Sequence, residues 1–201
     1  MFRFSKFLSY LFHPLLLPTY IIFVLLQSNA YFNYRIPEQV QYILVGTIFV
    51  ITFLFPFLSC LLMLKQGIIK SVEMESGQER FYPYVVTVIY FFACYFFLKQ
   101  MHLSAFFYKV QLGAAVSVLI TACINYKWKI SAHLAGIGGA AAVFYSIDNM
   151  LSVNYFFEFI LIVLLAGLLG TARLISGTHT HAQIYAGFIL GFTCMFIVMS
   201  N

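Results

Sequence analysis

The sequence predicts an all-α, polytopic transmembrane helix bundle of about six to seven spans. Three observations carry this. The 201-residue chain is 63% hydrophobic and only 8% charged, whereas a soluble domain carries about 25% charged residues. Its apolar residues gather into stretches that approach the roughly 20 needed to cross a bilayer. The polar gaps between these stretches are short, apart from KQGIIKSVEMESGQERFYP at 65–83. A water-soluble fold of this length would need a far more polar surface, so the composition points to an integral, multi-pass membrane protein.

Seven stretches qualify, at about 8–28, 41–64, 82–98, 104–125, 130–148, 154–171 and 183–200. The first follows Arg3 and Lys6 and imitates a signal peptide. It is too long for that role and no small-residue cleavage site closes it, so it reads as a retained first helix. His13-Pro14 and Pro18 within it point to a kink rather than to chemistry. Lys99, Lys109, Asp148 and Glu158 read as end-of-helix side chains that reach toward water. The small-residue runs AGIGGAAA (135–142), AGLLG (166–170) and GFILG (187–191) predict close helix contacts. No tandem repeat or low-complexity segment occurs, so residues 1–201 read as one helical domain. The 24 Phe and 14 Tyr suit lipid-facing and interfacial surface.

Other classes drop out. The formal charge of +5 is spread over loops and helix ends, and no basic run is interleaved with aromatics, so no nucleic-acid partner is expected. Cys60, Cys94, Cys123 and Cys194 are far apart, each in an apolar segment, and read as packing residues. A transporter is disfavoured, since no midplane charge pair or inverted repeat is visible.

Three polar islands interrupt the hydrocarbon: ERFYP (79–83), KISAHLAG (129–136) and ARLISGTHTHAQIYAG (172–187). Two spans separate each island from the next. Even numbers of crossings return the chain to one face, so Arg80, His133, Arg173 and His179 can converge there. Arginine forks bind phosphate oxygens in two-pronged fashion. One histidine can attack as a nucleophile and another can protonate a leaving group near neutral pH. Such a scheme needs no metal and no other cofactor. His179 and His181 invite a metal reading, but on a helix they point about 200° apart and no third histidine lies nearby. Lys/Arg counts put Arg3, Lys6, Lys65, Lys70, Arg80, Lys127, Lys129 and Arg173 on the side of the islands. Arg35, Lys99 and Lys109 fall opposite, which predicts a cytoplasmic site.

The spacing of these islands resembles the type 2 phosphatidic acid phosphatases, membrane enzymes that remove phosphate from lipids. That family carries Lys-x6-Arg-Pro, then Pro-Ser-Gly-His, then Ser-Arg-x5-His-x3-Asp. Here the third motif reads Ala172-Arg173, five residues, His179, three residues, Gln183. The second reads Ile130-Ser131-Ala132-His133, and the first keeps Arg80 with Pro83 two residues late. The resemblance covers a phosphatase-like core of roughly 70–200. It also resembles a divergent bacterial branch whose third motif ends in His-x3-Gln, which implies a bacterial inner membrane.

Carried over, the resemblance implies that His179 attacks phosphorus and forms a phosphohistidine. His133 would protonate the leaving alkoxide. Arg80 and Arg173 would hold the phosphoryl oxygens, with Ser131 and nearby backbone N–H groups assisting. The implied partners are a lipid phosphate substrate and membrane lipids. Three departures stand out. Gln183 replaces an aspartate, so it can orient the histidine but not stabilise its charge. Glu73 stands where the motif lysine would be, and Ala132 replaces a glycine. The rival expectation is a non-catalytic relative that binds phosphorylated lipid, or a structural membrane protein.

Overall fold

The computed structural model describes residues 2–28, 36–71, 77–101, 103–151 and 154–201. Arg35, Glu73 and the side chains of Arg3 and Asp148 lie outside the described residues. Among the described residues there are eight helices and no strand. They are α1 (Phe2–Leu11), α2 (Leu17–Ser28), α3 (Glu38–Lys65), α4 (Gly77–Gln100), α5 (Ala105–Asn125), α6 (Ala132–Leu151), α7 (Phe156–Ile175) and α8 (His181–Ser200). Five of them, α3, α4, α5, α7 and α8, are long and apolar enough to cross a membrane. Leu17–Gln27 and Ala132–Ile147 are shorter apolar helices. The chain is a multi-pass, all-α membrane protein.

Its surface fits that medium. Ile43, Ile89, Phe96, Leu164, Ile189 and Ile197 are exposed on the outer faces of long helices, where only hydrocarbon accepts them without cost. The core gathers instead around α6, whose Ala140, Ala141, Ala142, Val143 and Phe144 are buried. The α6–α8 pair is the most extensively packed in the bundle. Glycine explains how close it comes. A Cβ on Gly191 would overlap the Ala135 carbonyl, one on Gly187 would lie 2.6 Å from the Ser131 carbonyl oxygen, and one on Gly138 would strike the Phe188 carbonyl. Small-residue stripes thus let two backbones touch where larger side chains would hold them apart.

The first apolar stretch differs from the single helix read from sequence. It is two helices, α1 and α2, broken across residues 12–16. Pro14 offers no N–H and disfavours helical backbone at His13, so the helix stops there instead of bending. The α1 helix then packs against α7. A second irregularity lies in α3, where Val50–Leu54 widens into a π-turn. Pro56, four residues beyond Thr52, has no N–H for the Thr52 carbonyl, and a wider turn absorbs the loss. The Thr52 hydroxyl donates to the Leu15 carbonyl at 3.3 Å and ties α3 to the break.

Candidate functional site

The start of α6 and the start of α8 are joined by backbone. The Ser131 N–H donates to the Gln183 carbonyl at 3.2 Å. The Ser131 side chain is fully buried, and its hydroxyl accepts the Leu134 N–H at 3.4 Å. It therefore caps the first turn of α6, and His133, the second residue of the helix, lies within that fixed turn.

The link between α7 and α8 is capped at both ends. Gly177 takes a φ of 65°, a left-handed conformation that suits glycine. Its N–H donates to the Leu174 carbonyl at 2.9 Å, and the Thr178 N–H donates to the Arg173 carbonyl at 3.3 Å. This paired pattern closes a helix C-terminus. Two residues on, Thr180 is the N-cap of α8 and forms a capping box with Gln183. His179 thus lies in the turn, ahead of the helix, and not on a common helical face with Gln183. Gln183 reaches back: its Oε1 accepts the Thr180 N–H at 3.0 Å and lies 3.2 Å from His179 Nδ1. A carbonyl oxygen can only accept, so the neutral His179 ring carries its proton on Nδ1 and its lone pair on Nε2.

Arg173, His133 and His179 come together at this end of the bundle. His133 is within electrostatic reach of Arg173, His179 and His13. Arg173 Nη1 donates to the Ser9 hydroxyl at 3.2 Å, and that hydroxyl donates to the Ser5 carbonyl at 3.0 Å. His133 Nε2 donates to the Ser9 carbonyl at 3.1 Å. The His13 ring stands edge-on to His133, 79° between planes and 5.6 Å between centroids. His13 Nδ1 accepts the Leu15 N–H at 3.3 Å. Arg173 Nε is buried and has no hydrogen-bond partner among the described residues.

Arg80 stands one step away. Its Nη1 donates to Asn125 Oδ1 at 3.0 Å, and Asn125 Nδ2 lies 3.4 Å from the Tyr84 hydroxyl. Tyr84 is within electrostatic reach of both Arg80 and Arg173. Lys109 stands apart from this cluster, at the other end of the bundle, where its Nζ donates to the Met199 carbonyl at 3.4 Å.

Burial holds the His179 imidazole down at about 4, well below its ordinary 6.5, and the Arg173 charge adds to the effect. The hydrogen bond to Gln183 works in the other direction, as does the Lys129 backbone. His179 is therefore neutral at pH 7, the form a nitrogen nucleophile needs. No group of three or more metal-ligating side chains occurs among the described residues.

Three neighbours of this cluster, Ser9, Tyr84 and Asn125, escaped the sequence reading, and His13, read there only as part of a kink, also stands beside His133. The one signal for them was the spacing of Ser5, Ser9 and His13, four residues apart just before a proline. In comparisons with known proteins, no family model, no curated protein and no solved structure matches the chain.

Proposed function

We propose that the chain is a membrane phosphohydrolase that removes the phosphate group from a lipid phosphate, in a bacterial inner membrane. One observation carries the reading. Among the described residues, Arg173 is a half-buried cation with no carboxylate partner and with an unpartnered Nε–H, set beside two histidines. A desolvated cation without a counter-charge is a place for an anion. Guanidinium geometry and apolar surroundings favour a phosphate carried on a lipid.

In this mechanism Arg173 holds the phosphoryl oxygens and Arg80 adds long-range positive charge. His179 Nε2 attacks phosphorus, and the bond from phosphorus to the lipid oxygen breaks. His133, in its protonated form, gives its Nε2 proton to the departing alkoxide. Neutral His133 then takes a proton from water as that water attacks the phosphohistidine, which releases inorganic phosphate and restores His179. Gln183 keeps the attacking nitrogen free of its proton throughout.

The test is phosphate release by the purified protein from a panel of lipid phosphates, compared with His179→Ala. The expected result is release by the wild type, background rates in the variant, and an acid-labile phosphoenzyme in the wild type alone. Wild-type turnover in His179→Ala would overturn the mechanism. Tight binding of a lipid phosphate without release would instead make the chain a non-catalytic lipid-binding relative. EDTA is expected to leave turnover intact.

A further inference from the structure

The α1 helix is amphipathic in the reverse sense from a helix on a water-soluble protein. Ser5, Leu8, Ser9 and Phe12, spaced i, i+3, i+4 and i+7, face the bundle, where Ser5 and Leu8 are buried and Phe12 packs against the core cluster that includes Leu134 and Leu169. Phe4, Phe7 and Tyr10 point away and are 64%, 58% and 72% exposed. A helix that turns its serines inward and its phenylalanines outward matches an apolar medium outside and a polar site inside. The helix is also tethered to the membrane, since α2 begins as an apolar helix just beyond residues 12–16.

Ser9 connects this face to the site. Its hydroxyl oxygen sits on Arg173 and its carbonyl oxygen on His133, at 3.2 and 3.1 Å. Two oxygens of one residue thus occupy the donors that a phosphate ester would need, one for a phosphoryl oxygen and one for the oxygen that leaves.

We propose that α1 is a lipid-facing gate. Its outer face is seated in the bilayer, and its Ser9 is displaced from Arg173 and His133 when an anionic lipid headgroup enters from the side. The consequence for turnover rests on the phosphohydrolase reading; the gate itself does not. The break between Leu11 and Leu17 separates α1 from α2, and Leu15, held by Thr52, and Leu17, set against Gly136, keep α2 in place while α1 moves about the turn ahead of them.

The experiment uses the full chain with its four cysteines changed to alanine, in phosphatidylcholine nanodiscs with or without phosphatidic acid. A nitroxide on Tyr10→Cys is expected to collide with oxygen more than with a water-soluble nickel chelate. A label that meets the chelate freely overturns the membrane seating. In Ser9→Cys, alkylation by a water-soluble maleimide is expected to be slow in phosphatidylcholine and to rise several-fold with phosphatidic acid. An unchanged rate overturns the gate, and so does a rise with inorganic phosphate but not with the lipid, which would place entry from water. Faster alkylation, with no phosphate release by the parent chain from any lipid phosphate of the panel, supports the gate and sinks the hydrolase reading. Phosphate release by that parent, with the alkylation rate of Ser9→Cys unchanged by the lipid, sinks the gate alone.

Discussion

Gln183 Oε1 lies 3.2 Å from His179 Nδ1 and 3.0 Å from the Thr180 N–H, so one side-chain oxygen both caps α8 and fixes the histidine's tautomer. This double duty makes Gln183 separable by substitution. Gln183→Glu keeps the shape and the cap while adding a charge. Its carboxylate favours the imidazolium, so the His179 pKa rises from about 4. The acid limb of kcat/KM is expected near pH 4 in the wild type and at higher pH in Gln183→Glu. A limb that stays put in the variant contradicts the contact.

The same depressed pKa links to stability. Between about 4 and 6.5 the folded chain holds His179 neutral while the unfolded chain protonates it. The unfolded state then binds more protons, so stability falls as pH drops through 6.5 toward 4 and is flat above. Thermal midpoints in detergent across this range, compared with His179→Asn, isolate the contribution. The slope should be shallower in the variant.

Gln183→Ala removes both functions at once. The lost cap is expected to cost about 1 kcal/mol, and the lost orientation roughly tenfold to a hundredfold in turnover. Turnover indifferent to this change would mean that another group, such as the Lys129 backbone, orients the ring.

Packing between α6 and α8 gives a test independent of chemistry. Gly191→Ala drives a methyl into the Ala135 carbonyl, and is expected to destabilise by about 1–3 kcal/mol or to block folding. Gly167→Ala, in the middle of α7 with nothing within 4 Å of the added carbon, should be neutral or gain about 0.5–1 kcal/mol. Equal melting of the two variants would refute the close approach.

Gln111 is fully buried in α5, and neither its Nε2 nor its Oε1 has a partner among the described residues. An unsatisfied buried amide costs about 1–3 kcal/mol. Gln111→Met fills similar space without polar atoms and should raise the melting temperature by a few degrees. A lowered midpoint would show that the amide holds a partner such as buried water.

Much of the fold was legible because a bilayer makes hydropathy a direct measure of element length. The stretches at 41–64, 104–125 and 183–200 reappear as α3, α5 and α8 with shifts of a few residues. The first stretch was not legible as it is. Phe4, Phe7 and Leu8 read as continuous hydrocarbon, and only the contacts of Ser5 and Ser9 reveal a separate helix lying on α7. In the site, counting crossings put Arg80, His133, Arg173 and His179 on one face without side-chain detail; Arg173, His133 and His179 meet, and Arg80 stands off on Asn125. The Gln183 contact was legible as a spacing but not as a geometry. A four-residue interval implies one helical face, yet the Thr180 cap lets the same interval join a turn to a helix. Ser9 and His13 were hidden for a different reason: their partners lie more than a hundred residues away and belong to no local pattern.

The capped turn between α7 and α8 has one more consequence. Counting inward from both helices, Gly177 and Thr178 are spoken for by the end of one, and Thr180 by the beginning of the next. His179 is the single residue left over. The interval from Arg173 to His179 is thus a mechanical dimension, set by two closed helix ends that hold one side chain between them. A change in its length would open one of the two caps. Side chains along α7 and α8 can drift while those two ends stay closed, but one added or deleted residue in the turn would throw the imidazole out of phase with the arginine.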